Sequence, residues 1–272
     1  MKILISVDIE GVAGVFNIEQ TRAGNPEYER ARRLMTAEAN AVIEGALAGG
    51  ASEIVVNDSH GGFRNLLPDL LHPAASQILG KPRLLSMMSG VDSGVDGVMM
   101  VGYHGRAQSR GILAHTINGF SFARIWLNDQ ELGEAGIYGA LAGEFGVPVI
   151  FGSGDNVFVA ENQPLFPQAT LVSVKTADGA SSGTSLSPQS ALALLGEGAK
   201  AAVSKLADCR PFVLQPAITC RLQTTNPALA DLFCLLPIVE RVDGVTLTFS
   251  APSVQYAVRV LNSMSAMSFM LR

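Results

Sequence analysis

Charged residues are scarce in this chain. Asp, Glu, Lys and Arg make up 16% of its 272 residues, and apolar residues make up 48%. That balance excludes a disordered chain, which would be more charged and less apolar. It also leaves little polar surface, which favours an oligomer that hides an apolar face. No basic run is present and the net charge is −5, which argues against a phosphate-tracking nucleic-acid surface. No apolar stretch approaches the ~18 residues that a membrane helix needs. The apolar run ahead of Asp8 and Glu10 is too short for the core of a signal peptide, so the expected compartment is the cytoplasm. There are only three cysteines, Cys209, Cys220 and Cys234. They are odd in number, widely spaced and without a metal-site pattern, so buried thiols are expected. No Gly-x-Ser-x-Gly elbow and no Cys-His pairing occurs. The glycine-rich Gly152-Ser153-Gly154-Asp155 lacks a P-loop lysine and the third glycine of a dinucleotide fingerprint.

What is present is an alternation of strands and helices. Lys2 to Val7 is a continuous apolar run, as in a parallel strand buried on both faces. Asn25 and Pro26 predict the cap and first position of a long helix that ends at Gly49-Gly50. Further strands are expected over Glu53–Val56, Val98–Tyr103, Ala123–Leu127 and Val147–Phe151, with a shorter apolar piece at Gly111–Ala114. Helices are expected over Glu131–Phe145, from Ser187-Pro188 to about Leu206, from Asn226-Pro227, and from about Ser253 to Phe269. Ala177 to Ser187 reads as a loop, and Val245 to Phe249 as a strand. The expected fold is α/β, with a mostly parallel sheet flanked by helices. Residues 1–176 are expected to form a metal-binding lobe. Residues 177–272 would form a smaller C-terminal α+β lobe, with the active site in the cleft between them.

The chemistry gathers at strand ends. Three of the four histidines, His60, His104 and His115, follow strand-like runs. In open α/β sheets, ligands bind beyond the carboxyl ends of the strands. Asp8 and Glu10 follow the first strand, and alternation places them on one side. Two such carboxylates repel, so either one is protonated or a cation sits between them. A solvated strand end is the plainer reading of the pair. A hydrogen-bonded structural residue is likewise the plainer reading of any one of these histidines. Together, imidazoles and carboxylates suit zinc with an open position for water or substrate. Glu134 lies on a small-residue helix face that could approach a metal, although helix glutamates are usually solvated. His72 follows no strand and reads as structural.

These segments resemble the D-aminopeptidase family of self-compartmentalising binuclear zinc peptidases. The matching stretches are Ser6 to Gly11, Val56 to His60, Gly102-Tyr103-His104, Ala114-His115-Thr116 and Asn128-Asp129 through Gly133-Glu134. Their order and spacing match too, and softer similarity reaches the C-terminal helix. The resemblance implies that Asp8 bridges two zinc ions, with Glu10 and His60 completing one site and His104 and Glu134 the other. It implies that His115 is the catalytic residue, as nucleophile or as proton shuttle. It also implies a two-lobed α/β fold, a short-peptide substrate and a homo-oligomer, a ringed decamer. One departure is Gly61-Gly62-Phe63-Arg64 after His60, where the family carries bulkier polar residues. It bears on substrate preference and leaves the metal positions intact. Two alternatives stay open: another binuclear metal hydrolase on this scaffold, such as an amidase or a phosphoesterase, and a non-catalytic metal-binding homologue.

Overall fold

The computed structural model describes residues 1–272. Up to Glu144 the strands are β1 (Lys2–Val7), β2 (Glu53–Asp58), β3 (Ala75–Ile78), β4 (Gly97–Val101), β5 (Phe122–Leu127) and β6 (Gln130–Glu131). The helices of this half are α1 (Pro26–Ala48) and α2 (Glu134–Glu144). Then follow β7 (Val149–Asp155), α3 (Asn156–Asn162), β8 (Thr170–Gly179), β9 (Ser182–Ser185) and α4 (Pro188–Ser204). The chain closes with β10 (Ile218–Thr224), α5 (Pro227–Phe233), β11 (Glu240–Arg241), β12 (Thr246–Ala251) and α6 (Val254–Met267).

Two sheets result. The first has the order β3-β2-β1-β4-β7-β8-β9 and is parallel except for β9. The second is antiparallel, in the order β11-β12-β10-β5-β6. Side-chain alternation along β1 and its neighbours divides the apolar residues between two cores. Ile3, Ile5 and Val7 join Met35, Val42, Leu195 and Val203 under α1 and α4. Leu4, Val98 and Met100 face the other way, into a core shared with α2, α6 and the second sheet. The central strands are thus buried on both faces, which is why they read as unbroken apolar runs. Asn25 caps α1 by accepting from the Tyr28 N–H at 2.9 Å, with Pro26 at its first position.

Several expectations need correction. The division at 176/177 falls inside β8, and β9 and α4 complete the first sheet and its helical cover. The second sheet instead joins β5 and β6 from the first half of the chain to β10, β11 and β12. The stretch from Ala177 is a β-hairpin, because β8 and β9 pair antiparallel. Gly111–Ala114 is a turn in an irregular loop, so His115 follows no strand. The helix expected from Glu131 starts at Glu134, since Asn128 and Asp129, both at positive φ, turn β5 back into β6. Cys209 and Cys220 are buried, Cys234 is half-buried, and all three are free thiols.

Candidate metal centre

The site forms where β1 and β4 end side by side. The Asp8 N–H donates to the Val101 carbonyl at 2.8 Å, and the Gly11 N–H donates to that of Gly102 at 2.7 Å. The crossing is too close for side chains. A Cβ on Gly11 would lie 1.8 Å from the Tyr103 oxygen, and one on Gly102, at φ +68°, would lie 2.3 Å from the Asp8 oxygen. Only glycine fits both positions, and their contact brings Asp8, Glu10 and His104 together. The strand itself ends at Val7. The convergence of Asp8 and Glu10 therefore comes from the turn that follows, and not from strand alternation.

Three other elements supply the remaining residues. His60 leaves β2 in a loop held by Asp58, whose Oδ2 accepts from the Leu66 N–H at 2.7 Å. Glu134 opens α2, where a carboxylate is favoured by the helix dipole. His115 sits between Leu113 and Ile117, both in the left-handed region at φ +54° and +61°. A β-branched residue there is strained. The Ile117 N–H is held by Glu134 Oε1 at 2.7 Å, so the His115 loop and the Glu134 carboxylate fix each other.

Each imidazole is oriented by a backbone carbonyl. His60 Nε2 contacts the Thr21 oxygen at 2.8 Å, His104 Nδ1 that of Gly105 at 2.9 Å, and His115 Nδ1 that of Leu113 at 2.9 Å. A carbonyl only accepts, so each of these nitrogens carries the proton. The other ring nitrogen is aimed at the carboxylates, which is how metal-binding histidines are set. His60 Nδ1 lies 3.2 Å from Asp8 Oδ1 and 3.0 Å from Glu10 Oε2. His104 Nε2 lies 3.5 Å from Asp8 Oδ2 and 3.5 Å from Glu134 Oε1. His115 Nε2 is also 3.5 Å from Glu134 Oε1, and its ring stacks on that of His104 at 4.1 Å.

The side chains call for positive charge. Burial pushes the Asp8 carboxyl up, and Glu10 beside it adds to that. Burial also opposes ionisation of Glu10 and Glu134, but His60 and His104 outweigh it and hold both below their usual range. Burial likewise disfavours charged imidazoles at His60 and His104, yet Glu10 and Glu134 prevail and raise both well above theirs. Protons or metal ions could meet the demand, and the geometry favours metal. His104 Nε2 and Glu10 Oε2 are buried without a hydrogen-bond partner. A separation of 3.5 Å is long for a hydrogen bond. It suits two donors on one tetrahedral ion, where bonds of about 2.0–2.1 Å space neighbouring ligands about 3.3 Å apart. Two donor triads are compact enough for an ion, Asp8/Glu10/His104 and His104/His115/Glu134. His60 adjoins the first through Asp8 and Glu10.

All six residues singled out in the sequence meet here, and His72 lies apart, its Nδ1 accepting from the Ala74 N–H. Two cavities flank the cluster and share His60 and His115. One is an open cleft of about 1000 Å³, lined also by Glu10, Arg22, Phe120 and Arg272. The other is a pocket of about 130 Å³, lined also by Asp8, Glu134, Lys81 and Tyr138. Sequence reasoning missed the three orienting carbonyls, which leave no trace in residue type. It also missed Glu38, whose Oε1 accepts from the Ala13 N–H at 2.8 Å beneath the loop that carries Glu10.

Glu38 makes a pH prediction. Burial raises its carboxyl to about 7 against the opposing Ala13 hydrogen bond and the Lys175 charge. Between the unfolded value of 4.5 and about 7 the folded state keeps a proton that the unfolded state has lost. Stability therefore falls as pH rises through that window, by up to about 3 kcal/mol from this residue. Glu38→Gln keeps the acceptor and removes the ionisation. Its stability relative to the parent, measured by denaturant melts, should rise from about pH 5 to about pH 8. A pH-independent difference would contradict the assignment.

Comparison with known proteins identifies the family. The model of the D-aminopeptidase family, Peptidase_M55, matches residues 1–263. A D-aminopeptidase of Bacillus subtilis (strain 168) is 34% identical over 246 residues, which cover 90% of this chain and 89% of the relative. The solved structure of DppA from Bacillus subtilis, a Zn-dependent D-aminopeptidase and self-compartmentalizing protease, superposes with a TM-score of 0.96. The identity is 31%, and the match covers 99% of this chain and 98% of that one. With a family match that takes in both sheets and every residue of the cluster, this chain belongs to the D-aminopeptidase family and is a peptidase.

Proposed function

We propose that this peptidase holds two zinc ions and removes N-terminal residues, D-residues foremost, from short peptides. The observation that carries the reading is the placement of Asp8: Oδ1 faces His60 and Oδ2 faces His104. One carboxylate so placed can serve two ions. Glu10 and His60 would complete one site, and His104 and Glu134 the other. The zinc dependence of DppA supports the choice of metal. When bound, a zinc pair supplies Lewis acidity, polarising a carbonyl and acidifying water.

The chain's own residues account for the rest. His115 is 26% exposed, whereas no other side chain of the cluster exceeds 14%. It opens onto both cavities, and its Nδ1 is tied to Leu113. That leaves Nε2 to pass a proton to the leaving amine. The distance from Nε2 to Glu134, which equals that of His104, is also compatible with a ligand role. The two roles fail differently on substitution. The cavities suit an exopeptidase: the pocket has room for one small residue, and the cleft for the remainder of a short peptide. Glu10 is the sole acidic residue lining the cleft, while Arg22 and Arg272 are basic, which suits a terminal carboxylate.

Leu235, Val242, Phe269 and Met270 are exposed apolar residues, 58% to 74% accessible. Their exposure supports a self-compartmentalising homo-oligomer in which further copies cover them, and a decamer is the proposed form. No helix is long and apolar enough to cross a membrane, and the cytoplasm is the proposed location. A panel of D- and L-aminoacyl dipeptides, an amide and a phosphate monoester tests the activity. Release of the N-terminal residue from D-dipeptides, without phosphate-ester hydrolysis, is expected; ester turnover without peptide cleavage would contradict it. Light scattering should return a mass many times the 28.6 kDa chain, and a monomer would refute the assembly.

A further inference from the structure

Lys175 is the one fully buried lysine, 3% exposed, and it has no part in the chemistry proposed above. Its ammonium donates to the carbonyls of Glu10 at 2.5 Å, Val12 at 3.2 Å and Val15 at 2.5 Å. The Phe16 ring lies 5.2 Å away. Residues 10–15 form an irregular loop between β1 and α1, so no ladder satisfies their backbone. Most of their donors nevertheless have partners, the Val15 N–H reaching the Val12 carbonyl at 3.1 Å. Gly11 N–H reaches Gly102 and Val12 N–H reaches Ile9. Ala13 N–H reaches Glu38, and Gly14 N–H reaches the Ser185 hydroxyl at 2.9 Å. Lys175 collects three of the carbonyls at one point, as a bound cation would.

We propose that Lys175 is a positioning residue for the Glu10 side of the metal centre. By gathering the Glu10, Val12 and Val15 carbonyls it sets where the Glu10 carboxylate stands relative to Asp8 and His60. The inference rests on the two-metal reading. It explains why an ammonium, costly to bury, occupies a strand interior where an apolar side chain would serve packing alone. A methionine there would fill the same space, leave the Glu10 and Val15 carbonyls unpaired and leave that of Val12 with only the Val15 N–H. The loop would then shift to find other donors, and Glu10 would shift with it. Glu134 and His104 arrive from other elements and would stay in place.

The test is zinc binding by the full assembled protein, measured by metal analysis and by competition with a chelator of known affinity. Lys175→Met should retain the His104/Glu134 ion and bind the other about 10–100-fold more weakly, the range for groups that orient ligands. Lys175→Gln, whose amide can still donate twice, should fall between. Adding Lys175→Met to His60→Ala should lower zinc content no further, since both act on one site. A purely structural lysine would lower the melting temperature and leave both zinc affinities unchanged. That result overturns the proposal, as would failure of both variants to fold. A parent protein that binds no zinc contradicts the two-metal reading itself, which is seen before any variant is made.

Discussion

His115→Ala is expected to keep its zinc and its assembly while losing nearly all turnover. His115 is the most exposed of the six cluster side chains, 26% against at most 14% for the others, and it lines both the cleft and the pocket. Removing a general acid/base costs about 10²–10⁴-fold in rate, with metal still bound. Removing a ligand lowers metal content and rate together. A merely hydrogen-bonded histidine would lower the melting temperature and leave kcat per folded molecule intact. Zinc content, melting temperature and kcat on one preparation separate these outcomes. Near-parental kcat would eliminate a catalytic His115, and loss of zinc would make it a ligand.

Asp8→Ala is expected to empty both sites. Its two oxygens face different histidines, so on the proposed ligand assignment its removal takes a donor from each site. Zinc at about 1,000 times its Kd stabilises a protein by about 4 kcal/mol. Added zinc should therefore raise the melting temperature of the parent by several degrees and leave Asp8→Ala unmoved. His104→Ala should keep one ion and part of the zinc-dependent shift. Equal, partial metal loss in the two variants would argue against a shared carboxylate.

The sequence was informative where local physics and tertiary structure agree. The apolar runs of β1, β2 and β4 are legible because both faces of those strands are buried, and the Asn25-Pro26 cap marks α1. The stretch from Ala177 to Ser187 reads as a loop because its Gly, Ser and Thr residues suit a turn as well as the exposed edge hairpin they form. β3 was missed because ASQI is four residues long and only partly buried. β10 alternates buried and more exposed residues along ITCRLQT, yet its partner β5 lies about ninety residues earlier, and no local pattern reports such pairing.

The metal-centre candidates were legible because Asp, Glu and His at strand ends are conspicuous in a chain with so few charges and histidines. Family spacing tied them together. The contact that brings them together was not legible. Gly11 and Gly102 are ordinary strand-end glycines until β1 and β4 are paired. Likewise, Lys175 is an unremarked lysine within TLVSVKTADG until its ammonium meets three carbonyls from residues 10–15.

The central claim is that this cluster is a two-metal centre, and metal content tests it most directly. Protein purified without chelators should be weighed by native mass spectrometry and assayed for zinc, before and after dialysis against a strong chelator. The account predicts about two zinc ions per chain, loss of peptidase activity on their removal, and its return with added zinc. Protein that carries no zinc, takes none up and cleaves peptides regardless would contradict it.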